Sequence, residues 1–572
     1  MRGRKGNPQV GRHRRQIDTA DTLSYDSVMI YNGRVARSRS TSIGGTRLRR
    51  QLVMNGKFKT AGRTSGTSKR LTRTCAILLL TALIPFTGCA QSVGDGDFGV
   101  TTGGQQDIAS ARSIIESGGV PSPASVTVEG FLSEHDIPVT QPDNADELFA
   151  TVAAAWNDDF NAFTPLATVQ LGFGTNIDAD AFERAPLNIG LVIDISGSMG
   201  EPADRTTSTS RLEAVKIAVD RLLAQLDDND RVSIVAFNAL ALTRLEAAAG
   251  TDVAAIKGAI DRLVPEGSTD LARGMRAAYQ VLERNQSDDR NDRLIVFTDA
   301  LLTARPGSQE EELLDVMELY ADRDIGATLF GIGSDFGNET ALAISQIRGG
   351  NYFFLSDFDR IVSVFDDEFD LLVTPVAFDV NLVMSIPFSL DVEGVYGIPA
   401  EEPFPHVLEL EIPTLFLSNR DGGGATLVRL RAGSLVDFDE ENVIAQLDLS
   451  YTDRNGETVE IDPIEAVLPA GLDPRATEPY FENDSVKRAV LLLNTANVLI
   501  ESLEDAYPAF GFFGSADDEQ RAIDRLSAFL TYFDNLAEGL SDRESEESRR
   551  LSEERELLEQ LIFNIFGAAN NF

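Results

Sequence analysis

Apolar residues along the chain follow three successive patterns, and the changes between them divide it. Between residues 186 and 373, short and almost unbroken apolar runs alternate with helically spaced stretches. The runs are Leu187–Asp194, Arg231–Phe237, Arg293–Asp299, Ala327–Gly333 and Tyr352–Leu355. A strand buried on both faces has no polar positions to alternate with, so these runs predict a parallel sheet. Arg211–Leu226 puts Leu212, Val215, Val219, Leu222 and Leu223 on one helical face. Val253–Leu263, Leu271–Leu282, Glu310–Asp324, a short stretch near Thr340–Ile347 and Phe358–Leu371 supply the other helices. Strands alternating with helices predict a doubly wound α/β sheet, whose ligands bind beyond the carboxyl ends of its strands.

From Val376 to about Pro469 the period changes to two, as in Phe378–Met384 and Ala445–Tyr451. Asp453-Arg454-Asn455-Gly456 reads as a hairpin turn between Leu447–Tyr451 and Thr458–Ile461. This region, 374–480, is expected to be a β-sandwich. Upstream, Asp107–Ser117 has helical spacing, and Val126–Val128 and Thr168–Gly172 alternate like strands. Residues 107–185 hold too few strands to close a sandwich alone. They are therefore expected to join 374–480 in one β domain, with the α/β unit 186–373 inserted between them. Asp484–Tyr507, Asp518–Leu536 and Ser541–Phe563 are amphipathic, giving a C-terminal helical region, 484–572.

Charge separates the first part of the chain from the rest. Of 572 residues, the first 74 carry 18 basic and 3 acidic side chains, leaving 32 basic against 87 acidic beyond them. A body that acidic repels phosphates, which excludes nucleic acid as a partner. The three histidines, His13, His135 and His406, are too scattered for a His-rich zinc site or a HExxH protease. Two cysteines, Cys75 and Cys89, offer no disulfide framework.

Those cysteines lie at an apolar run, Cys75–Phe86, preceded by Lys69-Arg70 and Arg73 and followed by Thr87-Gly88-Cys89-Ala90. The run has the length of a signal-peptide core and falls short of the roughly 20 residues that span a bilayer. Phe86-Thr87-Gly88-Cys89 resembles a bacterial lipobox, although Phe86 stands where leucine is usual. The resemblance implies that Cys89 is lipidated and begins the mature chain, anchored in the cell envelope, at the outer membrane or cell surface. An ordinary secretory signal with an incidental cysteine is the alternative. Residues 54–88 are then the signal, with Met54 as a start that gives a basic leading segment, and 1–53 read as untranslated or disordered. Residues 89–106, rich in Gly, Asp, Ser and Thr, are expected to form a flexible tether.

Candidate chemistry collects at the carboxyl ends of the expected strands. Leu187–Ile193 leads into Asp194-Ile195-Ser196-Gly197-Ser198, Gly267-Ser268-Thr269-Asp270 precedes a helix, and Arg293–Thr298 leads into Asp299. In order and placement these residues resemble the metal-ion-dependent adhesion site of the von Willebrand factor type A family. The resemblance implies that Asp194, Ser196, Ser198, Thr269 and Asp299 surround one divalent cation, Mg2+ or alternatively Mn2+ or Ca2+. Asp299-Ala300 departs from the family's common Asp-Gly. Magnesium takes hard oxygens and usually only one or two carboxylates. Two carboxylates, expected to act in part through water, and three neutral hydroxyls leave such an ion under-neutralised, so an Asp or Glu carboxylate from a protein partner is its natural further ligand. Helix capping by Ser198 and Thr269, with the aspartates as loop residues, is the alternative.

The expected function is thus metal-dependent binding of a protein partner by a membrane-tethered protein that is not an enzyme. The rivals are an envelope scaffold that binds partners without metal, and a metal-dependent envelope hydrolase. The last finds little support: no G-x-S-x-G elbow surrounds Ser196 or Ser198, and no phosphate-binding loop exists in the sequence. A looser resemblance, over residues 107–137, the β region and Val486–Leu503, links the chain to a bacterial family related by name to calcium-activated chloride channel homologues. Without a membrane-spanning stretch after the signal, a channel function does not follow.

Overall fold

The computed structural model describes residues 99–102, 108–139, 148–160, 164–177, 182–203, 207–287, 289–300, 309–332, 343–355, 364–365, 369–398, 403–418, 425–434, 436–507, 516–540 and 546–569. The expected signal, Cys89, and the tether apart from residues 99–102 lie outside these residues. In chain order the first elements are β1 (Gly99–Thr102), α1 (Ala109–Glu116), α2 (Val128–Ser133), β2 (Leu148–Asp158) and β3 (Pro165–Thr175). The α/β unit follows as β4 (Leu187–Asp194), α3 (Arg211–Leu223), β5 (Arg231–Phe237), β6 (Ala241–Ala249), α4 (Val253–Ile260), α5 (Leu271–Arg284), β7 (Asn291–Thr298), α6 (Gln309–Ala321), β8 (Ile325–Ile332), β9 (Gly350–Leu355) and α7 (Phe369–Leu372). Then come β10 (Pro375–Ser385), β11 (Leu390–Tyr396), β12 (Val407–Ser418), β13 (Thr426–Ala432), β14 (Asn442–Asp453), β15 (Thr458–Leu468) and β16 (Tyr480–Phe481). Three helices end the chain: α8 (Asp484–Ala506), α9 (Ala516–Ala537) and α10 (Glu546–Ala569).

Burial explains the apolar runs. All eight residues of β4 are buried, because helices cover both faces of the sheet that contains it. Leu191 and Ile193 pack with α3 and α4 on one side, while Val192 packs with α5 and α6 on the other. The six strands lie in the order β6-β5-β4-β7-β8-β9. All pairings are parallel except that of β6 with β5. This is the doubly wound arrangement with one antiparallel edge. Of the expected helix Phe358–Leu371, residues 364–365 and α7 are described; near Thr340–Ile347, residues 343–345 are helical.

The strands before and after this unit, β3 and β10, belong to one ten-stranded antiparallel sheet, so the α/β unit is inserted in the β domain. The expected sandwich is hydrogen-bonded as a single sheet. Side chains from its two halves, such as Trp156 and Val169 on one and Leu382 and Leu447 on the other, share one core. Two short stretches differ from expectation. Val126–Val128 is not a strand: the Thr127 hydroxyl accepts from Gly130 N–H at 3.0 Å and caps α2. Gly99–Thr102, expected as tether, pairs with Leu415–Ser418 of β12 as β1. Backbone hydrogen bonds suffice for this pairing, so Gly-rich composition gives no sign of it. The three C-terminal helices pack with α1 and α2 over a separate core that includes Phe131, Leu492 and Phe529.

Away from Asp194, at the other end of the inserted sheet, the unit is fastened to the β domain. Gly349 N–H donates to Thr414 Oγ1 at 2.7 Å, and the buried Arg293 guanidinium lies 5.0 Å from the Phe416 ring centroid. Among the described residues, no helix is long and apolar enough to cross a membrane.

Candidate metal centre

Strand register brings the two aspartates together. β4 and β7 are parallel neighbours with Ile193 opposite Phe297, so the next residues, Asp194 and Thr298, emerge side by side and Asp299 follows. On the other flank of β4, Asp194 is opposite Phe237 at the end of β5. Three loops therefore converge on one edge of the sheet, and backbone hydrogen bonds tie them together. Ile195 N–H donates to Phe237 O at 2.8 Å, Glu266 N–H to Ile195 O at 2.7 Å, and Gly197 N–H to Gly267 O at 3.0 Å. Gly267 adopts φ +84°, a conformation that disfavours a side chain. Met199, fully buried, anchors the serine loop from below.

Four of the five residues singled out in the sequence are connected side chain to side chain or through the loop backbone. Ser196 N–H donates to Asp194 Oδ1 at 2.8 Å. The Ser196 and Ser198 hydroxyls are 3.1 Å apart, and Ser198 Oγ donates to Asp299 Oδ1 at 2.9 Å. Thr269 lies half-buried two residues after Gly267, on the loop that Gly197 binds. Among the described residues its hydroxyl has no hydrogen bond to the other four. Capping does not account for the serines, since the short turn Gly197–Gly200 begins without a side-chain cap from Ser196. The cap of α5 is Asp270, whose side chain accepts from Arg273 N–H, so Thr269 is not a cap either.

Two residues absent from the sequence reading complete the centre. Thr298 donates its hydroxyl to Asp194 Oδ2 at 2.7 Å, fixing the second oxygen of that carboxylate. Arg211, the first residue of α3, donates from its guanidinium to Asp299 Oδ2 at 2.5 Å. Thr298 was hidden as one more β-branched residue in an apolar strand, and no local pattern connects Arg211 with a residue 88 positions away.

Electrostatics make the centre receptive to a cation. Burial pushes the Asp194 carboxyl up to about 6; the nearby Asp299 adds to this, while the Ser196 and Thr298 donors oppose it. The Asp299 side chain is likewise almost inaccessible. Two inward carboxylates flanked by hydroxyl oxygens form a hard-oxygen set that suits Mg2+ or Mn2+. Among the described residues, no three His, Cys, Asp or Glu side chains gather to hold a metal ion, here or elsewhere; this centre has two carboxylates and relies on hydroxyl oxygens for the rest.

Comparison with known proteins places these loops in a recognised domain. Residues 189–301 match the von Willebrand factor type A domain. The chain is 26% identical over 286 residues to the uncharacterised protein YfbK of Escherichia coli (strain K12), covering 48% of this chain and 47% of that one. It is 28% identical over 203 residues to the uncharacterised protein sll0103 of Synechocystis sp. (strain ATCC 27184 / PCC 6803 / Kazusa), covering 35% and 45%. The chain thus spans less than half the length of these curated relatives. Among solved structures, a von Willebrand factor type A protein from Catenulispora acidiphila aligns at 17% identity over 69% of this chain and 91% of its own, with a TM-score of 0.45. The ArnB paralog VWA2 from Sulfolobus acidocaldarius aligns at 14% identity over 73% and 98%, with a TM-score of 0.37.

Proposed function

Because the chain carries a von Willebrand factor type A domain, we propose that it binds a protein partner through a divalent cation held at the Asp194 edge of the inserted sheet. The observation that carries this reading is the convergence of Asp194, Ser196, Ser198 and Asp299 on one hydrogen-bonded cluster. Asp194 and Asp299 would supply the anionic oxygens, Ser196 and Ser198 neutral ones, and Thr269 a further hydroxyl from the neighbouring loop. Once bound, the ion supplies a Lewis-acid position that a partner's Asp or Glu carboxylate can fill. Thr298 and the Ser196 N–H hold Asp194 in place before any ion arrives, so the carboxylate is preorganised.

The surroundings favour a macromolecular partner. Leu240 and Val264 are 61% and 60% exposed and sit in the two loops that the Asn238 side chain joins through Glu266 O at 2.9 Å. Large apolar side chains beside a polar centre are what a protein interface buries. A hydrolase would need a base near the ion. Of the described histidines, His135 contacts Glu554 and His406 lies against Phe388, both outside this edge.

The lipobox-like Phe86-Thr87-Gly88-Cys89 supports anchorage through a lipid on Cys89, which would hold the protein at the cell envelope. Cross-linking in intact cells, followed by mass spectrometry, tests the partner reading. The expected result is a protein captured by wild type and lost on addition of chelator or with Asp194→Ala. A second reading, metal-independent scaffolding, is favoured by the last helix, where Phe563 and Phe566 are 69% and 60% exposed. Capture that ignores chelator and Asp194→Ala supports it instead.

A further inference from the structure

We propose that Arg211 is a resident counter-cation of the metal centre, weakening the hold on the ion and leaving the loaded centre with surplus positive charge for an anionic partner. This rests on the metal-binding reading above. Arg211 is the first residue of α3, and its backbone N–H donates to Glu201 O at 2.9 Å. A cation is disfavoured at that position, where the helix dipole is positive. The guanidinium is held there by Asp299, whose side chain is 1% exposed against 19% for Arg211.

The contacts show how the carboxylate is divided. Asp299 Oδ1 accepts the Ser198 hydroxyl at 2.9 Å, and Asp299 Oδ2 accepts Arg211 at 2.5 Å. Asp194, by contrast, is held among the described residues by uncharged donors, Ser196 and the Thr298 hydroxyl. Arg211 therefore neutralises one carboxylate and not the other. Among the described residues the buried Arg211 Nε has no hydrogen-bond partner. Ser198 already orients Asp299, which makes charge the distinctive contribution of Arg211.

The consequence follows from counting charges. In formal charge the two carboxylates match a divalent cation, and Arg211 beside Asp299 leaves the loaded centre net positive by one. From residue 75 onward the chain carries 87 acidic and 32 basic side chains, a field that repels an acidic partner. A local positive focus is what allows such a partner to approach.

The test is calorimetric titration of Mn2+ into the full chain and its Arg211→Gln and Arg211→Lys variants, with folding checked by circular dichroism. Mn2+-loaded protein is then titrated with acetate, followed by water-proton relaxation. Arg211→Gln should bind Mn2+ about tenfold more tightly, the order expected for removing a positive charge beside a bound cation. Its loaded form should bind acetate more weakly, and Arg211→Lys should stay near wild type in both. Equal or weaker Mn2+ binding by Arg211→Gln overturns the proposal and makes Arg211 a positioning residue for Asp299. Absence of Mn2+ binding by folded wild type and Arg211→Gln alike overturns the metal reading itself, and this proposal with it.

Discussion

Replacing Asp194 with Asn should stabilise the ion-free fold while destroying the centre. Burial lifts the Asp194 carboxyl from 3.8 to about 6, a shift that corresponds to about 3 kcal/mol of destabilisation when the group is ionised. The sign follows from proton uptake. With its folded value raised, the native state binds the proton more tightly than the unfolded chain, so this contribution to stability is fully present below about pH 4 and lost as pH rises towards 6. Asp194→Asn keeps the size and one acceptor oxygen but leaves the Thr298 hydroxyl to reorient, so a net gain of about 1–3 kcal/mol is expected at pH 8. For a unit of this size each kcal/mol moves the melting temperature by about 2–4 °C. The assay is scanning calorimetry in chelator at pH 5 and pH 8. The variant should melt several degrees above wild type at pH 8, with the gap narrowing at pH 5. With saturating Mg2+ the order should close or reverse, because only wild type gains binding energy. A variant that melts below wild type in chelator at pH 8 would make Asp194 a structural residue rather than one held ready for a cation.

Two other predictions address the surface and the anchor. Only three lysines, Lys216, Lys257 and Lys487, lie beyond Cys89; like-charge repulsion should make the melting temperature rise from low to molar NaCl, and a flat or falling trend contradicts this. Cys89→Ser should abolish lipid labelling and membrane partitioning, and a variant that is processed and partitions like wild type rules the anchor out.

The parallel sheet was legible because its strands are buried on both faces, as in the uninterrupted Leu187–Asp194. Strands with neither that signature nor a clear period of two were missed. β2 is rich in alanine, a poor strand former, and is held by pairing along its whole length with β3. β6 is an edge strand of helix-forming residues with every position exposed or half-buried. Asp194, Ser196, Ser198 and Asp299 could be read because strand ends and spacing bring them together. Thr298 and Arg211 could not, since both act through contacts with residues far away in sequence.

We propose above all that the inserted unit holds a divalent cation through Asp194. Calorimetric titration of Mg2+ into the full chain and into Asp194→Ala, both confirmed folded, tests it most directly. Wild type should give saturable one-site heat and the variant, which lacks one of the two carboxylates, none. Equal Mg2+ heats from both proteins would contradict it.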